Sequence, residues 1–269
     1  MSGERGIDRI AKALTDHSPG LWPFIAAGHP NLDTTADLLR ALNDLPIRGV
    51  ELGIPFSDPI ADGPVIQKAF SHALLGGVTL PKILDCVATV RGDINFPLLA
   101  MASASIVYRV GVESFVERAA SAGFDGLIVP DVSLEEAPRL ATSAAKAGMA
   151  LSMLIAPTTP DDRQRRIADL ASGFLYYVSV QGTTGTRDRL PPDLEGNVVS
   201  LKQATALPVL VGFGISRASQ VSEVCAYADG AIVGSAIVRK MGELSEAGES
   251  SSDISRDVSA FIDTLVAVT

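Results

Sequence analysis

Eight short apolar runs constrain this chain of 269 residues more than any other feature in it. They lie at 21–28, 49–54, 96–102, 126–130, 150–157, 174–179, 208–214 and 230–236. Each reads as continuous hydrophobics rather than as apolar–polar alternation, the pattern of strands covered on both faces of a parallel sheet. Between the runs come stretches of helical spacing, such as Leu38, Leu39 and Leu42 after the first run, capped by Asp33 or Thr34. Others run from Val65 to the break at Gly76-Gly77, over about 112–122 before Gly123, and over about 134–147 before Gly148. Eight strand–helix units in about 250 residues favour a closed (β/α)8 barrel over an open doubly wound sheet. No GxGxxG follows the first run, which weakens a dinucleotide-binding sheet further. The expectation is a single TIM-barrel domain over 1–269. An extra amphipathic N-terminal helix is expected at 7–16, a long loop at 181–192, and a polar linker at 242–253 before a closing helix carrying Ile254, Val258, Phe261, Ile262 and Leu265.

Composition excludes several classes. Hydrophobic residues make up 47% and charged residues 20%, too apolar a balance for a disordered chain. The net charge of −9, with no run of like charge longer than a few residues, argues against a nucleic-acid partner, which needs clustered Lys and Arg. The charged N-terminus lacks the apolar core of a signal peptide, and no apolar stretch approaches ~20 residues. A cytoplasmic protein without membrane association is therefore expected. Cys86 and Cys225 form no CxxC and read as two ordinary buried thiols. His17, His29 and His72 have no metal-ligand spacing, so no metal is expected.

In such barrels the chemistry sits at the C-terminal ends of the strands. The stretch GVELGIPFSDPIADGP, 49–64, places Glu51 inside an apolar run and Asp62 in the loop that the run feeds. A carboxylate with Val50, Leu52 and Ile54 as neighbours needs a partner or a raised pKa. Two acids in different surroundings can divide acid and base duties on one small molecule. Equally, Glu51 could end its strand in water and Asp62 could lie in a plain turn. Asp131, Tyr176 and the 181–192 loop are expected at the same face. Gly212-Phe213-Gly214 and Gly234-Ser235 follow the seventh and eighth runs, where barrels of this kind bind phosphate through backbone N–H groups and a helix N-terminus. No lysine falls at the C-terminal end of an expected strand, which removes Schiff-base chemistry, and metal-assisted cleavage lacks its histidines. Carboxylate acid–base chemistry on a phosphorylated substrate remains. Phe24, Ile66, Met101, Leu127, Tyr176 and Phe213 could line an apolar pocket or fill the barrel core. The 181–192 loop, with its glycines and threonines, is a candidate lid.

ELGIPFSDPIADGPVIQKA (51–69) closely resembles the signature of the tryptophan synthase alpha subunit family. PFIAAGHP (23–30), GLIVPDVSLEE (126–136), IAPTTPDDR (155–163), YYVSVQGTTG (176–185), GFGIS (212–216) and GSAIV (234–238) resemble the same family in the same order. The likeness covers about residues 7 to 268. It implies a lyase that splits indole-3-glycerol phosphate to indole and glyceraldehyde 3-phosphate without metal or organic cofactor. By the same likeness Glu51 and Asp62 are the catalytic carboxyls. Phe24, Ile66 and Tyr176 line the indole pocket, Thr184 in the lid meets Asp62, and Gly185, Phe213, Gly214, Gly234 and Ser235 bind phosphate. The family works in an αββα complex with a beta subunit, which is therefore the expected partner. Two stretches depart from its pattern: MASASIVYR (101–109), with Ser103 and Ser105 about where a tyrosine and an asparagine are usual, and His29 in place of an acid. Two rivals stand beside this reading, a non-catalytic subunit that regulates a beta partner and a sugar-phosphate isomerase with paired acids. An apolar pocket around Tyr176 and Phe213 would count against the isomerase.

Overall fold

All eight runs form strands in a computed structural model that describes residues 4–15, 19–59, 62–179, 189–212 and 214–266. They are β1 Gly20–Ala26, β2 Val50–Gly53, β3 Leu98–Met101, β4 Gly126–Ile128, β5 Ala150–Ile155, β6 Leu175–Val178, β7 Val209–Gly212 and β8 Gly230–Val233. Each is parallel to the next, and β8 pairs back onto β1 to close the barrel. Carried round all eight ladders, the register closes eight residues out of step, the stagger of a (β/α)8 barrel.

Parity along each strand explains why the runs read as continuous. One set of side chains, including Leu21, Ile25, Val50, Leu52, Leu98, Ala100, Leu127, Val209 and Val211, packs outward against the helices. The alternate set, Trp22, Leu99, Ile128, Phe174, Tyr176, Leu210 and Ile232, fills the barrel interior. Both faces are dry, so both parities must be apolar. Leu127 thus belongs to the helix-facing core, and only its neighbours Gly126 and Ile128 look inward on β4.

The N-terminal helix Gly6–Thr15 buries Ile10 completely, with Ile7 and Leu14 beside it in the interior cluster. It stops the N-terminal end of the barrel, and Ile7 N–H donates to Gly148 O at 3.0 Å. Beneath it Asp125 receives Arg9 and, at 3.4 Å, Arg91, while its Oδ2 accepts the Leu98 N–H at 2.8 Å.

Several local expectations change. The cap of helix Leu32–Leu42 is Asn31, whose side chain accepts from Thr34 N at 2.8 Å, rather than Asp33 or Thr34. Residues 242–253 are not a linker. Helix Ser235–Glu246 runs through the first of them and helix Ser251–Val266 begins within the last. The polar letters occupy solvent faces, while Met241 and Ile254 are buried. The second of these helices docks on Leu32–Leu42, where Thr34 Oγ1 donates to Ser251 Oγ at 2.9 Å. A further helix, Ala104–Val110, occupies the stretch that departs from the family pattern. Cys86 and Cys225 are free thiols but only half-buried. Among the described residues no single helix is long and apolar enough to cross a membrane, although the pair Pro64–Leu75 and Leu80–Asp93, bent by 96°, meets the length and composition jointly.

Candidate active site

Strand β2 points Glu51 into the barrel, beside Phe24 of β1 and Leu99 of β3 in the ladders. On its own face the residues two before and two after it are Gly49 and Gly53. A methyl at Gly49 would overlap the Trp22 ring, and one at Gly53 the Phe24 ring. The two glycines let these aromatic rings close around the acid. Glu51 is wholly buried, and neither carboxyl oxygen has a hydrogen-bond partner among the described residues. Burial alone drives its pKa well above the ordinary carboxylate value, so it is held as the neutral acid. Val50 and Leu52, its neighbours in sequence, lie on the opposite face of the sheet.

The β2 exit loop returns the chain to Asp62 and helix Pro64–Leu75. Gln67 on that helix laces the loop, donating from Nε2 to Asp62 O at 2.8 Å and to Pro59 O at 3.3 Å. Asp62 is half-buried, and burial, followed by the charge of Asp131, raises its pKa to about 6. Ile66, one turn into the helix, turns inward with Phe24 and Phe70.

Across the barrel Tyr176 rises from β6. Gly212 of β7 leaves space for its phenol: any side chain there would collide with the Tyr176 hydroxyl. Burial above all holds the phenol proton well above its usual range. Of the glycines considered for phosphate, Gly212 therefore serves Tyr176. Gly214 has φ +81°, a conformation that disfavours any side chain, and it begins the turn after β7. Gly234 precedes Ser235, the first residue of helix Ser235–Glu246. The unpaired N–H groups and dipole of that helix end favour an anion.

These elements enclose one cleft of about 450 Å³ including its open side. Phe24, Asp62, Ile66, Tyr176, Gly214, Gly234 and Ser235, all expected from sequence, line it together. Met101, Ile215 and Ile232 complete the walls. Met101 is among the residues expected as pocket or core; Ile215 and Ile232 carry no sequence signal beyond being apolar at strand ends. Glu51 lies in the wall rather than on the cleft surface. Thr184, Gly185 and Phe213, with most of the 181–192 loop, lie outside the described residues. The cleft is lined mostly by apolar side chains, and the Asp62 carboxyl and the N-terminus of helix Ser235–Glu246 both reach its surface. Such a lining suits a substrate that carries a flat aromatic group, an N–H and a phosphate. It does not suit the polar body of a free sugar phosphate.

His29 is buried and meets His72 edge-on, ring centroids 5.3 Å apart. Burial, then the nearby His72 and Lys68, lower its pKa to about 4, so it packs as a neutral ring. In the 101–109 segment, Ser103 caps helix Ala104–Val110 and donates from Oγ to Asp131 Oδ2 at 2.7 Å.

Comparison with known proteins agrees with this geometry. Residues 10–265 match the family model described as tryptophan synthase alpha chain. A tryptophan synthase alpha chain from Synechococcus sp. (strain CC9902) is 48% identical over 226 residues, 84% of each chain. One from Geotalea daltonii is 42% identical over 236 residues, 88% of this chain and 89% of that one. Among solved structures, a chain of the tryptophan synthase complex from Pyrococcus furiosus superposes with a TM-score of 0.84 at 32% identity, covering 92% of this chain and 98% of that one. A second structure from the same organism, described as an α2β2 complex with mutual activation, gives 0.84 at 34% identity with the same coverage.

Proposed function

This chain belongs to the tryptophan synthase alpha chain family, and on that premise we propose that Glu51 and Asp62 carry out the retro-aldol cleavage of indole-3-glycerol phosphate in L-tryptophan biosynthesis. The observation that carries the reading is the contrast between the two acids: a fully buried Glu51 kept neutral, and an Asp62 at the cleft surface that ionises near neutrality. The substrate's phosphate rests on the backbone of Gly214, Gly234 and Ser235, and its indole lies between Phe24, Ile66 and Tyr176. Gly185 and Phe213 complete the phosphate end and Thr184 meets Asp62, by likeness to the family.

Glu51 turns from the wall into the cleft and gives its proton to indole C3. The ring becomes an indolenine cation, with the positive charge shared by N1. Asp62, as carboxylate, accepts the N1–H hydrogen bond and stabilises that charge. Glu51, now a carboxylate, takes the proton of the glycerol hydroxyl next to the bond. The hydroxyl oxygen's electrons form the aldehyde C=O, and the electrons of the breaking carbon–carbon bond return to the ring. Indole and glyceraldehyde 3-phosphate leave, and Glu51 is again protonated. The ring itself is the electron sink, so the step asks for no metal or organic cofactor. A raised pKa suits a group that must first be acid and then base.

By the same family membership the partner is a tryptophan synthase beta subunit in an αββα assembly, and the chain acts in the cytoplasm. The 181–192 loop is the lid by likeness to the family. The test is indole release from indole-3-glycerol phosphate by the purified chain, with and without a beta subunit, beside Glu51→Gln. The native chain releases indole, faster with partner; the variant loses about 10²–10⁴-fold in kcat. A folded native chain that binds substrate but releases none in either condition would return the regulatory-subunit reading.

A further inference from the structure

Asp131 stands just past the end of β4, exposed at the face that holds the cleft, and both its oxygens are engaged. Oδ1 accepts the backbone N–H of Ala104 at 2.7 Å, and Oδ2 accepts the hydroxyl of Ser103 at 2.7 Å. Ser103 Oγ in turn accepts the N–H of Ser105 at 3.2 Å, capping helix Ala104–Val110. This clasp ties the exit of β3 to the exit of β4. Met101, two residues before Ser103, lines the cleft.

The charge of Asp131 is also felt at Asp62, where it opposes ionisation in addition to burial. Among the described residues Glu51 on β2 and Tyr176 on β6 also face the barrel interior, and burial favours the protonated form of both, while Asp58 lies exposed in the β2 exit loop. Around Asp131 stand Tyr108 of the capped helix and then Glu136 and Arg139, with Arg139 engaged by Glu113 at 2.7 Å.

We propose that Asp131 is a positioning residue for the cleavage, whose clasp on Ser103 and Ala104 fixes the Met101 wall and holds its carboxyl group on the Asp62 side of the cleft. The proposal rests on the reading of Asp62 as the carboxylate that meets the indole N–H. An amide at 131 keeps an oxygen for Ala104 N–H but removes the charge. Loss of the Ser103 hydroxyl keeps the charge but loosens the turn.

Two measurements separate these effects. The first is the pH dependence of kcat/KM for indole-3-glycerol phosphate cleavage, with the beta subunit present, for the native chain, Asp131→Asn and Ser103→Ala. The second is a titration of the full chain labelled with carboxyl-¹³C aspartate, the Asp62 signal being assigned by its loss in Asp62→Asn. In Asp131→Asn both the Asp62 midpoint and the acid limb move to lower pH by ~0.3 unit or more, a twofold change in proton affinity. Ser103→Ala leaves both midpoints in place and raises KM. Equal loss of rate at every pH in Asp131→Asn, with unmoved midpoints, would show a merely structural clasp and overturn the proposal. So would a moved Asp62 midpoint with an unmoved acid limb. A native chain that releases no indole defeats the functional reading instead, while the ¹³C titration still reports on Asp131 and Asp62.

Discussion

Glu51→Gln tests the burial of the catalytic acid through folding stability, without any substrate. In the native chain Glu51 is completely buried, and burial pushes its pKa up. Unfolded, the same side chain titrates near ~4.3. The folded pKa exceeds the unfolded one, so the stabilising contribution is complete below ~4.3 and is lost as pH rises toward the folded pKa. Between pH 5 and pH 7 the unfolded chain releases this proton, whereas burial favours its retention in the folded chain. The native protein therefore loses stability from this one group across that window, by no more than the ~3 kcal/mol that one proton can contribute over two pH units. The amide of the Glu51→Gln variant has no proton to lose. Its burial imposes a cost that is the same at both pH values, and Asp62 and Asp125, also raised, titrate in both proteins and cancel. Urea unfolding at pH 5 and pH 7 should thus show the variant gaining stability relative to native, up to that ceiling. A gain that stops short marks the pH at which Glu51 ionises in the fold. A flat difference, below ~0.5 kcal/mol, would mean that Glu51 is already ionised when folded. The resting enzyme would then have no acid to offer indole C3.

Other perturbations separate the remaining parts of the cleft. The kcat/KM profile of the native enzyme should fall as pH drops through about 6, where Asp62 takes up its proton; a flat profile down to pH 5 would remove Asp62 as the charged group. Gly212→Ala drives a methyl into the Tyr176 hydroxyl, and should raise KM and cost ~1–3 kcal/mol by urea unfolding. Ser235→Asp puts a negative charge at the first residue of helix Ser235–Glu246, and should raise KM tenfold or more while thermal stability holds or increases, because the same charge suits the helix end. Asp125→Ala, at the opposite end of the barrel, strips Arg9 and Arg91 of their shared acid, and should cost ~3–5 kcal/mol with KM unchanged.

Much of this is legible in the sequence for one physical reason. A (β/α)8 barrel buries both faces of every strand, so each strand announces itself as an unbroken apolar run, and eight such runs leave few topologies. Helix starts and the 242–253 stretch are less legible. Cap chemistry depends on which polar side chain finds a backbone N–H, and Asn31 wins over Asp33 and Thr34 by geometry that composition does not carry. In 242–253 the polar letters of two helical solvent faces imitate a linker, because only Met241 and Ile254 at its edges reveal the buried stripe. Helix Ala104–Val110 escapes a linear reading because its anchor, Asp131, lies 27 residues from Ala104 in the chain.

The position of Glu51 shows what a linear reading misses even when it finds the right residue. In sequence its neighbours are Val50, Leu52 and Ile54, and the acid looks like a charge lodged among aliphatics. In the barrel those side chains leave toward the helices, and the face that Glu51 shares with Gly49 and Gly53 is bare backbone. Trp22 and Phe24 move into the space that the glycines leave. The acid is therefore kept dry by aromatic rings one strand away, seated in the space that the glycines leave. Gly53→Ala should accordingly act on catalysis without touching either acid. By pushing the Phe24 ring off its seat it would admit water beside Glu51, lower the pKa of the acid, and move the basic limb of kcat to lower pH. An unchanged basic limb in a folded Gly53→Ala enzyme would mean that the aliphatic shell, and not the aromatic one, keeps Glu51 protonated.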